Sequence, residues 1–135
     1  MINLSKFERN DDIFNQVSEK TKLTKWVNID PKSPYTEEEL LAILENNTLI
    51  GYIHIDDVTE FEHPKKFGIT KFFIFPEFQN KGYGKKATLE LFKKKNSEGY
   101  TDVIMQVEQH ILPFWENVIN SQKYFPKKNI DLIPI

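Results

Sequence analysis

The most constraining stretch of the chain is FPEFQNKGYGKKATLELFKKK, residues 75–95. An apolar run, Phe72-Phe73-Ile74-Phe75, stops at Pro76, which has no N–H to give to a sheet ladder. Gly82 and Gly84 follow, then a lysine-rich segment over 85–96 with Ala87, Thr88, Leu89, Leu91 and Phe92 on one side of a helix. A strand, a Gly-x-Gly loop and a helix in that order can hold an anion. Glycine lets successive backbone N–H groups turn toward one point, and a helix N-terminus adds unpaired donors and partial positive charge. Lys81, Lys85 and Lys86 add cations, and a phosphate or pyrophosphate is the natural guest. A simple strand-to-helix turn is the plainer alternative.

Around this centre the pattern reads as a single domain over 1–135 with one mixed sheet, in the α/β or α+β class. Residues 1–7 form a first strand, and Asn10 or Asp11 caps a helix over 11–20. Residues 23–35 are irregular. Thr36 and Glu39 make a capping-box pattern, so LLAIL (40–44) fits either a helix or a buried strand. Asn46-Asn47 then either ends the helix or turns a hairpin. Strands are expected over 48–56, 67–75, 101–107 and 130–135, with a short helix opened by Pro113 and running to about Ile119. Gly99 stands where a helix C-terminus calls for glycine, and Lys93, Lys94 and Lys95 are expected as a solvated basic helix end.

A net charge of −2 gives no strong field toward nucleic acid or an anionic membrane, and neither is an expected partner. No cysteine is present, so disulfides, thiolate zinc sites and a cysteine nucleophile are excluded. No metal is expected, and the lack of a long apolar N-terminal segment leads to an expectation of a cytoplasmic protein. The closing strand could pair with a second chain as an open edge.

Two well-known phosphate binders do not fit. A P-loop needs G-x-x-x-x-G-K-[ST], and Gly84 is followed by Lys85-Lys86. Gly82, Gly84 and Ala87 spell the Rossmann G-x-G-x-x-A, with Glu108 after the next strand as a ribose-binding acid. But six residues separate Phe75 from Gly82, and 27 residues after Glu108 are too few for the remaining βα units. FFIFPEFQNKGYG instead resembles motif A of the GCN5-related N-acetyltransferases: an apolar strand, a short turn, and Q/R-x-x-G-x-G/A, here Gln79-Asn80-Lys81-Gly82-Tyr83-Gly84. Pro76-Glu77-Phe78 resembles the Pro-Glu-aromatic turn of bacterial members, and Gly51 a glycine of the preceding strand. The resemblance covers 36–125.

It implies a sheet with parallel strands 67–75 and 101–107 splayed to admit acetyl-CoA. Backbone donors from Lys81 to Lys86 would hold the pyrophosphate, with Gln79 lining the turn. Phe72, Phe73 and Ile74 would line the pantetheine, and the Phe72 N–H would face the thioester carbonyl. The resemblance also shows what is missing. Trp115 falls where the family has its acid tyrosine, and Glu108 where it has an asparagine. Gly68 and Thr70, with Lys71 nearby, occupy places where an acidic base is often found.

Glu108 and His110 are therefore the candidate proton acceptors, imidazole having a reference pKa of about 6.5. Glu60, Glu62 and His63 are further candidates beside the acceptor, and Tyr124 is an outside candidate for the tyrosine. Each also reads as a solvated or packing residue, and Trp115 as a core residue that packs against the pantetheine or sulfur. The expected activity is acetyl transfer from acetyl-CoA to an unidentified small-molecule or protein amine. Acyl-CoA binding without catalysis, or an interaction module that has lost the cofactor, are the alternatives.

Overall fold

The computed structural model describes residues 1–22, 29–60 and 64–135. Six strands form one sheet in the order β1 (Ile2–Phe7), β2 (Glu37–Glu45), β3 (Thr48–Asp57), β4 (Lys66–Ile74), β5 (Asp102–Val107), β6 (Ile130–Pro134). The first four are antiparallel, and β4–β5 and β5–β6 are parallel. Among the described residues, three α-helices flank the sheet: α1 (Asp12–Thr21), α2 (Tyr83–Ser97) and α3 (Leu112–Ser121). Residues 23–28 of the irregular 23–35 segment, and the candidates Glu62 and His63, lie outside the described residues.

The ambiguous 36–47 region is a strand and hairpin. Asn46 and Asn47 both take positive φ (47° and 69°), as a two-residue hairpin turn requires. Thr36 and Glu39 therefore do not cap a helix. The Thr36 hydroxyl donates to Asp56 Oδ1 at 2.9 Å, and Glu39 is ion-paired to α2. Alternation along β2 explains why propensity loses here. Leu40 and Ala42 face one core while Leu41 and Ile43 face the other, so both sides of the strand are buried.

One face of the sheet packs α2 and α3, with Ile53, Ile55, Phe67, Ile69, Leu91, Phe92 and Trp115 in a single cluster. The other face packs α1, with Phe7, Val17, Leu40, Tyr52 and Phe75. The sequence reading of α2 is corrected at its end. Lys95 is 2% exposed, not solvated, and its Nζ lies 2.7 Å from Glu39 Oε1 and 3.0 Å from Glu98 Oε1. Lys94 pairs with Glu98 at 2.5 Å, leaving Lys93 as the exposed member of the run. Just beyond, Gly99 (φ 92°) bonds back to the Asn96 carbonyl and Tyr100 to that of Lys95, a Schellman closure.

Candidate active site

β4 and β5 are paired only from Lys66↔Asp102 to Ile69↔Met105. At the same height β4 carries a bulge. Ile55 pairs with Ile69 but His54 pairs with Lys71, so Thr70 is the extra residue. Such a bulge bends its strand and ends pairing locally. Beyond it β4 stays bound to β3 and parts from β5, which opens a gap in the sheet. The Phe75 N–H points to β3, donating to the Ile50 carbonyl at 2.8 Å, whereas the Ile74 carbonyl accepts from Gln79 Nε2 at 2.8 Å. Backbone groups alternate sides along a strand, so the N–H and C=O of Phe72 share the gap-facing edge with those of Ile74.

Gly51 keeps β3 close to this segment: a Cβ there would stand 2.2 Å from the Phe73 carbonyl oxygen. After β4 the chain makes one 3₁₀ turn, Pro76–Phe78, and reaches Gln79, whose amide closes the loop onto Ile74. Asn80 (φ 62°) and Gly82 (φ 82°) are both left-handed, and Gly82 is the N-cap of α2. α2 has no side-chain cap, and no atom would lie within 4 Å of a Cβ on Gly82. In its first turn, the N–H groups of Tyr83, Gly84 and Lys85 have no carbonyl within the helix to bond.

A cleft of about 620 Å³ runs along this edge. Of the residues expected to hold a cofactor, Phe72, Phe73, Ile74, Gln79, Asn80, Gly82, Tyr83, Gly84, Lys85 and Trp115 line it. Lys81 and Lys86 stand outside its lining, exposed on the loop and first turn. Trp115, 6% exposed, packs edge-on to Phe72 with ring centroids 5.5 Å apart, so it is at once a core residue and a cleft wall. The close approach at Gly84 is to an aromatic ring: a Cβ there would meet Phe114 at 3.2 Å. Phe114 and Ile111 complete the wall from the α3 side while remaining 38% and 41% exposed. Sequence reasoning missed both. Two large apolar residues at the start of a Pro-initiated helix were the available signal.

Glu108 and His110 lie at the end of β5 and are paired to each other, Oε2 to Nδ1 at 3.3 Å. Neither lines the cleft, and their side chains are 59% and 73% exposed. Glu108 and Phe72 stand equally far, three residues, past the last β4–β5 rung. Tyr124 is away from the cleft lining, half-buried against the core beside α2, and its carbonyl accepts from Asn96. Glu60 lies near Lys66 and Asp102, at the opposite end of β4 from the glycine loop.

A second polar cluster, also missed, occupies the α1 face. Arg9 grips Glu38 with two bonds, Nε to Oε2 and Nη2 to Oε1, both 2.8 Å. That guanidinium holds the Glu38 carboxyl below its ordinary value. Asp56 accepts from the hydroxyls of Thr36 (2.9 Å) and Thr70 (2.5 Å). Between the two acids sits His54, 2% exposed, with Nε2 at 3.5 Å from Glu38 Oε1 and from Asp56 Oδ2. Neither ring nitrogen has a hydrogen-bond partner among the described residues. The signal was in the sequence: Glu38, His54 and Asp56 are polar residues at positions whose strand parity points inward.

The family model described as acetyltransferase (GNAT) family matches residues 7–116. The chain belongs to that family. Its fold is similar to that of an aminoglycoside acetyltransferase from an uncultured soil metagenomic sample, solved with sisomicin. The two share 13% identity with a TM-score of 0.66, over 90% of this chain and 88% of that one. A Trypanosoma brucei acetyltransferase is similar at 17% identity and TM-score 0.64, over 87% and 91% of the two chains. Glucosamine-6-phosphate N-acetyltransferase from Arabidopsis thaliana is similar at 17% identity and TM-score 0.63, over 91% and 93%. No curated protein matches the chain in sequence. Among the described residues, no helix is long and apolar enough to cross a membrane, and no group of three or more His, Cys, Asp or Glu is arranged to hold a metal ion.

Proposed function

We propose that the protein is an acyl-CoA-dependent N-acetyltransferase that uses acetyl-CoA to acetylate an amine by direct attack. The observation that carries this reading is the coincidence of three features on one edge: the end of β4–β5 pairing at Ile69, the gap-facing backbone of Phe72 and Ile74, and the uncapped N-terminus of α2 behind Gly82. The residues fit an extended thioester ending in phosphates. The strand edge offers N–H and C=O groups to amides, and the loop offers backbone donors to a pyrophosphate. Lys81, Lys85 and Lys86 add positive charge around that loop.

Acetyl-CoA supplies an activated acetyl group. In this reading the Phe72 N–H holds the charge that develops on the thioester oxygen, and a preorganised donor of this type contributes on the order of 3 kcal/mol. The amine nitrogen forms its bond to the acetyl carbon, the carbon–sulfur bond breaks, and the thiolate leaves with the electron pair or takes a proton from water. Glu108 or His110 takes the proton from the amine, directly or through water. With Trp115 at the family's tyrosine position, the indole shapes the wall beside Phe72 and donates no proton.

Acetyl-CoA titration by calorimetry, followed by thiol release over a panel of amines, tests the reading. One-to-one binding with thiol release on at least one amine is expected. Binding without release on any amine would leave a binding protein in place of an enzyme, and no binding would overturn the proposal.

A further inference from the structure

We propose that the Glu38–His54–Asp56 cluster is the acceptor subsite and that it takes a cationic primary amine, a deepening of the reading above on which it depends. Four observations meet there. First, Asp56 lacks a direct cationic partner. Glu38 is matched by Arg9, and Asp30 Oδ1 has Lys71 at 3.7 Å, but Asp56 is held by two hydroxyls and has no lysine or arginine within ion-pair distance among the described residues. An acid so placed is satisfied by an incoming cation.

Second, His54 is buried with neither ring nitrogen hydrogen-bonded among the described residues, and its Nε2 faces the two carboxylates at 3.5 Å. Buried polar nitrogens are nearly always bonded, so an orphaned ring beside two acids marks a place built for another group. Third, the cluster opens outward. Glu38 and Thr36 line a separate cavity of about 520 Å³, with Lys32, Ser33, Pro34 and Glu37 around it. Both carboxylates retain 12–15% side-chain exposure.

Fourth, the cluster stands at the reacting end of the sheet gap. His54 pairs with Lys71, one rung from Ile53↔Phe72, and Asp56 holds the bulge residue Thr70, where β4 leaves β5. An ammonium group on Asp56 and Glu38 therefore lies on the α1 face of the strand whose far edge faces the cleft. The attacking amine must be neutral, so a second positive group on the same molecule suits Asp56 better than a lone amine does.

The test reads His54 directly and does not depend on turnover. Protein labelled with ¹⁵N-histidine is titrated with 1,4-diaminobutane and, separately, with 1,4-butanediol, which has the same length and no charge. The diamine is expected to shift the His54 ring resonances saturably, and the diol to leave them unmoved. Asp56→Asn should weaken the diamine response at least tenfold while acetyl-CoA affinity stays within twofold. Glu38→Gln is the second variant, and near-ultraviolet dichroism checks that each folds. Unmoved His54 signals with the diamine, or equal shifts with diamine and diol, would overturn the subsite on wild-type protein alone. A response that survives both substitutions would also overturn it. Failure of acetyl-CoA to bind in the parallel titration would instead strike the acetyltransferase reading.

Discussion

The cleft along β4 and the cluster around His54 lie on opposite faces of the same strands and are built from different materials. The cleft is a backbone site. Its backbone polar groups are the strand edge at Phe72 and Ile74 and the first turn of α2, and the apolar side chains of Phe114, Trp115 and Ile111 serve as walls. The cluster is a side-chain site, in which Arg9, Thr36 and Thr70 fix the direction of two carboxylates. A backbone site tolerates side-chain change wherever no Cβ intrudes. A side-chain site fails with a single atom. The sheet thus presents a generic grip at the β4 edge and a specific one on the α1 face of β2 and β3.

The largest effect is expected where β3 and β4 pack most closely. Gly51→Ala places a Cβ 2.2 Å from the Phe73 carbonyl oxygen, and backbone on both sides has little room to yield. Overpacking of this severity costs about 3 kcal/mol or more. Urea denaturation should show that loss, and a variant as stable as wild type would mean that β3 and β4 are not so closely joined.

Gly84→Asp should lower acetyl-CoA affinity at least tenfold, about 1.4 kcal/mol. It brings a carboxylate to the loop, and its Cβ also meets Phe114. Calorimetry on Gly84→Ala and on Gly84→Asp with Phe114→Ala separates the steric part from the charge. If the paired variant with Asp binds as well as wild type, charge at the loop is irrelevant and the pyrophosphate assignment falls.

On the other face, Arg9→Ala should cost about 2 kcal/mol through loss of the charged, two-bond grip on Glu38. The pH dependence sharpens the contrast. Arg9 depresses the Glu38 carboxyl from its ordinary 4.5, so the stability it contributes is complete above about pH 4.5 and lost as pH falls through the lower folded value. Stability profiles from pH 6 downward should therefore fall less steeply in Arg9→Ala than in wild type. Parallel profiles would mean that Glu38 draws no stability from Arg9.

A smaller change concerns the wall at Trp115. Trp115→Tyr removes some contact with Phe72 and brings a phenol to the cleft wall. Acetyl-CoA affinity should stay within threefold while turnover rises, because a phenol donates a proton to sulfur and an indole does not. Unchanged turnover would show that the thiolate leaves without help.

The contrast also explains what was legible before the structure. The strand–loop–helix unit could be read because glycine positions and a strand-ending proline are local signals. The four β-strands expected over 48–56, 67–75, 101–107 and 130–135 sit within a residue or so of where they were placed. The 36–47 region could not be resolved. Its capping pattern is equally compatible with Thr36 and Glu39 bonding to distant groups, as they do. Lys95 was misjudged for the same reason: a lysine looks solvated until a partner such as Glu39, 56 positions earlier, is known to face it. For the His54 cluster, strand parity turns each polar residue inward, but only the register of β2, β3 and β4 brings them together, and that no window of sequence reports.

The central claim is that the gap beyond Ile69 and the loop at Gly82 form one site for acetyl-CoA. Calorimetric titration of the wild-type protein with acetyl-CoA tests it most directly, with 3′-dephospho-CoA and free pantetheine as shortened ligands. A one-to-one isotherm with Kd below about 1 mM is predicted, weakened at least tenfold when the pyrophosphate is absent. No heat with acetyl-CoA, or equal affinity for pantetheine, would contradict it.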